Sequence, residues 1–211
     1  VSHRIFLLSP ASCHGERARL VLRDGATFDL ALALRQPGGA PLGEVFTFLS
    51  GLYFRGKLRY AETFARPPAG LPGVFVITAG DGLITPQTRV TVETLRRWAD
   101  VPIGPNELRY TEPLRRDAAR LADADGCEVV LFGSIASAKY VEVLDAVFGD
   151  RLRFPIEFVG RGDMSRGGLL LRHADDGNEL TYVPVAGAVR HGARPARLAP
   201  RPRQTIRGRS A

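Results

Sequence analysis

At 211 residues, with 45% hydrophobic and 24% charged residues, the chain has the size and balance of one globular domain rather than two. Its apolar runs are only a few residues long, which excludes a bilayer-spanning helix, and its two cysteines, Cys13 and Cys127, form neither a disulfide framework nor a zinc spacing. A reducing, cytoplasmic setting with no membrane partner is therefore expected.

The net charge of +7 has a definite location. No Asp or Glu follows Glu179, while Arg190, Arg194, Arg197, Arg201, Arg203, Arg207 and Arg209 all do, which leaves 22 basic residues against 22 acidic ones in the body. The division expected is a domain over 1–187 and an Arg/Pro-rich tail over 188–211, poorly ordered because it lacks hydrophobic periodicity. Such an arm either holds phosphate backbones by counterion release or serves only solubility.

In chain order, the apolar run at 4–8 is too short for a signal peptide and predicts a buried first strand, stopped by Ser9-Pro10. A helical turn or two over 15–23 ends before Asp24-Gly25, and Gln36–Gly39 marks a loop. Val45, Phe46, Leu49, Leu52, Tyr53 and Tyr60 recur at helical spacing between Leu42 and Ala65, with Gly51 and Gly56 as points of bending or interruption. The β-branched run 73–78 predicts a fully buried strand, and a Gly-rich loop over 79–86 follows it. A helix over 112–124 is expected with Thr111 as its N-cap, then a strand at 127–132, a helix at 138–148 and a strand near 153–158. Arg161–Arg172, an Arg- and Gly-rich turn, leads into a last helix, and 179–185 forms a final strand.

Alternating strands and helices predict a single-domain α/β fold with a mostly parallel sheet, helices on both faces and polar loops at the strand carboxyl ends. Ligands of such sheets collect outside those ends. The loops containing Ser9, Pro10 and Cys13, then Asp81 and Gly82, then Ser137 and Tyr140, then Arg161–Arg166, are thus expected around one crevice. Ser165 as a helix cap would leave free N–H groups facing an anion, with Arg161 and Arg166 as bidentate donors and Gly162 and Met164 completing the loop. Asp163 would pair with either arginine or meet a ligand's amino groups. A helix N-terminus near Cys13 would lower its pKa and make it a nucleophile; His14, adjacent in sequence, does not make a dyad with it. Cys13, Asp81 and Ser165 are the catalytic candidates; Tyr53 supplies a further hydroxyl. HExxH, paired CxxC, P-loop, GxSxG and dinucleotide patterns do not occur, and neither a metal nor a cofactor is expected.

Several segments together resemble the YaaA family of peroxide-stress proteins. FLLSPAS (6–12) is similar to the ISPAK-type start, FLSGLY (48–53) to FKGDVY, and ITAGDGLITP (77–86) to LSGLYGVLRP. ASAKY (136–140) resembles ASDEY, RGDMSR (161–166) is close to RGLMSR, and Asn178-Glu179-Leu180 resembles NGEL. The order is kept across most of the chain outside the tail. The departures are Ser12 and Leu49 where the family has lysines, Asp81 where it has tyrosine, and Ala138-Lys139 where it has Asp-Glu. The resemblance implies a divergent, shorter member whose ligand is a nucleobase, nucleoside or nucleic acid. Two expectations follow from it: an enzyme modifying a nucleobase or nucleoside, or a non-catalytic DNA-binding protein of the peroxide-stress response.

Overall fold

Ile5, Phe6, Leu7 and Leu8 have no exposed surface. The strand they form, β1 (His3–Leu8), therefore needs cover on both faces and partners on both edges. The computed structural model, which describes residues 3–124, 126–136 and 138–200, provides both. β1 lies parallel to β3 (Val74–Ile77) on one side and to β6 (Cys127–Phe132) on the other, and β6 pairs in parallel with β7 (Leu152–Pro155). β4 (Leu83–Ile84) and β8 (Tyr182–Pro184) close the edges antiparallel, giving the order β4-β3-β1-β6-β7-β8. β2 (Ala40–Pro41) and β5 (Arg89–Val90) make a separate two-stranded ribbon. The α/β class and the mostly parallel sheet are those expected.

The chain runs outward from β1 to β3, then crosses back over β1 to β6. The loops after β1 and β6 consequently part in opposite directions, which opens a crevice at the strand carboxyl ends.

The stretch 42–65 is two helices, α3 (Leu42–Ser50) and α4 (Leu52–Phe64). Gly51, at φ +63°, breaks it in a backbone conformation that costs other residues strain. α1 (Glu16–Leu22), α7 (Ala138–Phe148) and α8 (Asp163–Asp176) sit where helices were expected. α2 (Asp29–Arg35) and α5 (Val92–Ala99) do not. α5 begins with a Thr91/Thr94 capping box and buries Val92, Leu95 and Trp98 at three-residue spacing, a short stripe that the sequence reading passed over.

Two expected caps are corrected. α6 (Leu108–Ala122) starts before Thr111: the Glu107 carboxylate accepts from the Arg109 N–H at 3.1 Å and is the cap, while the Thr111 hydroxyl donates to the Glu107 carbonyl. Burial of Tyr110 and Thr111 draws the first turn into the helix despite Pro113. Ser165 is likewise inside α8, whose N-cap is Gly162 with no side-chain cap. The strand near 153–158 ends at Pro155 and continues as a single 3-10 turn, Ile156–Phe158.

α4 and α8 meet backbone to backbone. A Cβ on Gly56 would stand 2.6 Å from the Gly167 carbonyl oxygen, and one on Gly167 2.7 Å from that of Leu52. This crossing carries Tyr53 and Lys57 of α4 to the start of α8. Beneath it, Phe6 and Phe132 of the sheet pack on Tyr60 at centroid distances of 6.0 and 5.3 Å. Beyond β8, residues 188–200 have no helix or strand and run back past α8, where the Ala196 and Ala199 carbonyls accept from Arg161 and Arg172. Arg201, Arg203, Arg207 and Arg209 lie outside the described residues.

Gly56→Ala and Gly167→Ala are each expected to destabilise the fold. Overpacking of about 1–3 kcal/mol outweighs the gain in helix propensity of roughly 0.5–1 kcal/mol. Urea unfolding of the two variants reads this directly, and an unchanged midpoint for both would contradict the crossing.

Candidate active site

A polar cavity of about 410 Å³ opens at the parting of the β1 and β6 loops, lined by Ser9 and Ser12 from the first, Ser134 from the second, Tyr53 and Lys57 from α4, Lys139 and Tyr140 from α7, and Asp163 from α8. Gly133 makes the floor possible: a Cβ there would lie 2.9 Å from the Tyr140 ring and 3.1 Å from Ser9 Cβ. The Ser134 N–H donates to the Tyr140 oxygen at 3.2 Å, and that hydroxyl neighbours the Ser9 side chain.

Lys57 is the most deeply buried ionisable group lining the cavity. It is 1% exposed, and its Nζ lies 2.6 Å from the Ser9 carbonyl oxygen and 2.8 Å from Ser9 Oγ. The Tyr53 and Phe54 rings flank it at 4.6 and 4.9 Å. An ammonium has three N–H groups to satisfy, and among the described residues only two acceptors, both on Ser9, stand within hydrogen-bond reach. Burial accordingly pushes the Lys57 pKa down from its ordinary 10.5 to about 7; Asp163 opposes the shift and Arg166 reinforces it. A neutral amine fits the site better, accepting from the Ser9 hydroxyl and donating to the Ser9 carbonyl. Burial also raises the pKa of the Tyr53 and Tyr140 hydroxyls, so both keep their protons at neutral pH.

A second, mostly apolar compartment of about 320 Å³ adjoins the first, sharing Pro10–Ser12, Lys139 and Tyr140 with it. Phe46, Trp98, Val101 and Ile103 supply its walls, with Cys13 and His14 at its rim. Burial pushes the Cys13 thiol up to about 11, the reverse of the activation expected for a nucleophile.

The structure thus brings Ser9, Pro10, Tyr53 and Tyr140 together and sets Cys13 next door. Asp81 lines neither compartment. Its Oδ2 accepts from Trp98 Nε1 at 3.0 Å and from Arg97 at 2.5 Å, so it fixes the tryptophan that forms the apolar wall. Gly82, at φ +70°, is a turn residue packed against Asp117 and Pro113. Ser137 lies outside the described residues.

The Arg161 segment divides in two. Arg166 points inward, donates to the Phe158 carbonyl at 3.0 Å and stands 3.8 Å from Asp163. Arg161 donates to the Glu157 carbonyl and to Ser165 Oγ, each at 3.1 Å. Arg161, Gly162, Met164 and Ser165 line a separate groove of about 290 Å³, completed by Arg194, Pro195, Arg197 and Leu198 of the C-terminal segment. Ser165 therefore stands outside the polar cavity and is tied to an arginine.

Lys57, Lys139 and Trp98 line these compartments but were not among the residues expected there. A signal for the lysines was present: among 29 basic residues only two are lysine, and both line this cavity. Arginine, which stays charged, serves elsewhere, whereas lysine can lose its proton on burial. Comparison with protein-family profiles, curated proteins and solved structures gives no match for the chain.

With Lys57 neutral in the folded state above about pH 7, the unfolded chain binds the extra proton between that pH and about 10.5. The cost of burying this side chain is therefore complete below pH 7 and shrinks as pH rises. Relative to Lys57→Met, wild-type stability is expected to climb by roughly 1 kcal/mol per pH unit over that window. Denaturant unfolding of both proteins from about pH 7 to 9 measures it, and a constant difference would contradict a depressed pKa.

Proposed function

We propose that the chain is a divergent YaaA-like enzyme that modifies a nucleobase or nucleoside, free or in nucleic acid, at the crevice between the β1 and β6 loops. The observation that carries this reading is Lys57: a buried amine at the floor of an open polar cavity, able to take and return a proton near neutral pH. The adjoining compartment, walled by Phe46 and Trp98, suits a flat aromatic ring. Ser12, Lys139 and Tyr140 border both compartments and would hydrogen-bond the polar edge of such a ring. In this reading Asp81 and Arg97 act at one remove, holding Trp98 in place.

Trp98 is the only tryptophan of the chain, so its emission reports occupancy of the apolar compartment. Purine and pyrimidine bases and their nucleosides, titrated singly, are expected to quench it saturably for at least one ligand, and Asp81→Ala to weaken that binding. Lack of quenching by every base and nucleoside would remove the nucleobase assignment.

A second reading, DNA binding in peroxide defence without catalysis, is favoured by one feature: Arg161, Arg194 and Arg197 line the groove beside the start of α8. If that groove tracks a phosphate backbone, affinity for a single-stranded oligonucleotide falls steeply between about 50 and 200 mM salt. Arg194→Ala with Arg197→Ala would then flatten the slope by about one to two counterions. An unchanged slope would take the groove out of nucleic-acid binding.

A further inference from the structure

Ser9 is the side chain that both touches Lys57 Nζ and lines the polar cavity. We propose that Ser9 is a nucleophile with Lys57 as its general base, and that the cleft transfers an acyl group to water, hydrolysing a carboxylic ester or amide borne on the ring held in the apolar compartment. This rests on the reading of the cleft as a nucleobase or nucleoside site and names the reaction performed there.

The polar atoms form a directed chain. The Ser134 N–H donates to the Tyr140 oxygen, and the Tyr140 hydroxyl stands beside the Ser9 side chain. The Ser9 hydroxyl then has Lys57 Nζ, at 2.8 Å, to accept its own proton, while a Lys57 N–H donates to the Ser9 carbonyl at 2.6 Å. That second bond aims the amine's lone pair, as the third member of a catalytic triad aims its base. Pro10 follows directly and its ring restricts the backbone of the residue before it, so the carbonyl that orients the base and the attacking hydroxyl belong to one stiffened residue. Cys13 offers no rival: it is in the other compartment, with a thiol that burial keeps protonated.

In the first half-reaction Ser9 Oγ bonds to the substrate's carbonyl carbon as its proton passes to Lys57. The Tyr140 hydroxyl donates to the oxygen that becomes negative. Collapse breaks the bond to the alcohol or amine, which leaves with the proton that Lys57 returns. In the second half Lys57 takes a proton from water, the hydroxide attacks the Ser9 ester, and the carboxylic acid departs as Ser9 recovers its proton. Water is the sole co-reactant and no electrons are exchanged.

The intact chain treated with an alkyl fluorophosphonate tests this, with the adduct located by peptide mass spectrometry. The expected result is one adduct on Ser9, formed at a rate that rises through about pH 7 as the base loses its proton. Ser9→Ala abolishes it, and Lys57→Met and Lys57→Arg each slow it by about a hundredfold with the folded circular-dichroism spectrum retained. An unmodified Ser9 in folded wild-type protein overturns the proposal, as does a rate that Lys57→Met leaves unchanged. If that variant does not fold, a pH-independent wild-type rate overturns it equally. Trp98 quenching separates the two readings. Quenching with an inert Ser9 removes the nucleophile alone; a modified Ser9 without quenching supports the nucleophile and removes the nucleobase.

Discussion

The burial of one amine against one serine is the constraint on which this cleft depends. Lys57 enters the interior along α4, beside two aromatic rings, and among the described residues finds as hydrogen-bond acceptors only the two oxygens of Ser9. A charged ammonium is poorly served there, and the protein answers by lowering its proton affinity instead of supplying a carboxylate partner. Asp163 is near enough to moderate the shift but remains largely solvated, so it does not form a buried ion pair that would hold the charge. The contrast with Arg4 is instructive. Arg4 is also buried, but Glu128 and Glu179 bracket it at 2.9 and 2.7 Å, and that group is structural.

Holding Lys57 in this position requires α4 to approach both the sheet and α8 closely. The Gly56–Gly167 contact permits the second approach, since either Cβ would meet backbone below van der Waals distance. Gly133 acts elsewhere: lacking a Cβ, it lets the Tyr140 ring of α7 lie against Ser9. Glycine at these three positions is thus a matter of space, not of backbone conformation, and none of the three has a positive φ. The sheet topology then decides what the close approach creates. Because the β1 and β6 loops leave in opposite directions, a cavity opens beside Ser9 with the buried Lys57 among its lining residues.

The two compartments differ in their lining: Phe46, Trp98, Val101 and Ile103 wall the apolar one, and Ser9, Tyr53, Lys57 and Asp163 line the polar one. Tyr140 and Lys139 stand between them. The arginines are placed differently: Arg166 is spent on the Phe158 carbonyl and ring, and Arg161 on the Glu157 carbonyl and Ser165. A loop that suggests an anion site from its composition acts first as a clasp, tying the 3-10 turn to α8 and to the returning C-terminal segment.

Local sequence determined the elements whose causes are local. The β-branched and apolar runs at 4–8, 73–78 and 127–132 are strands, Gly51 breaks the helical stretch, and the βα alternation yields a mostly parallel sheet. That Ser9, Pro10, Tyr53 and Tyr140 would meet around one cavity was legible because they follow, or pack near, strand carboxyl ends. Lys57 was not, because a lysine in an amphipathic helix ordinarily marks the solvent face, and only the α4–α8 crossing turns that position inward. The cap of α6 escaped for a similar reason: burial of Tyr110 and Thr111 outweighed the capping signal of Thr111. Asp81 and Ser165 have the residue types of catalysts, but tertiary contacts commit them to Trp98 and Arg161. Residue type and spacing set which groups were present near the strand ends. Which of them stay solvated, which are paired and which are forced neutral depends on distances between segments far apart in the chain, and those only the packed structure decided.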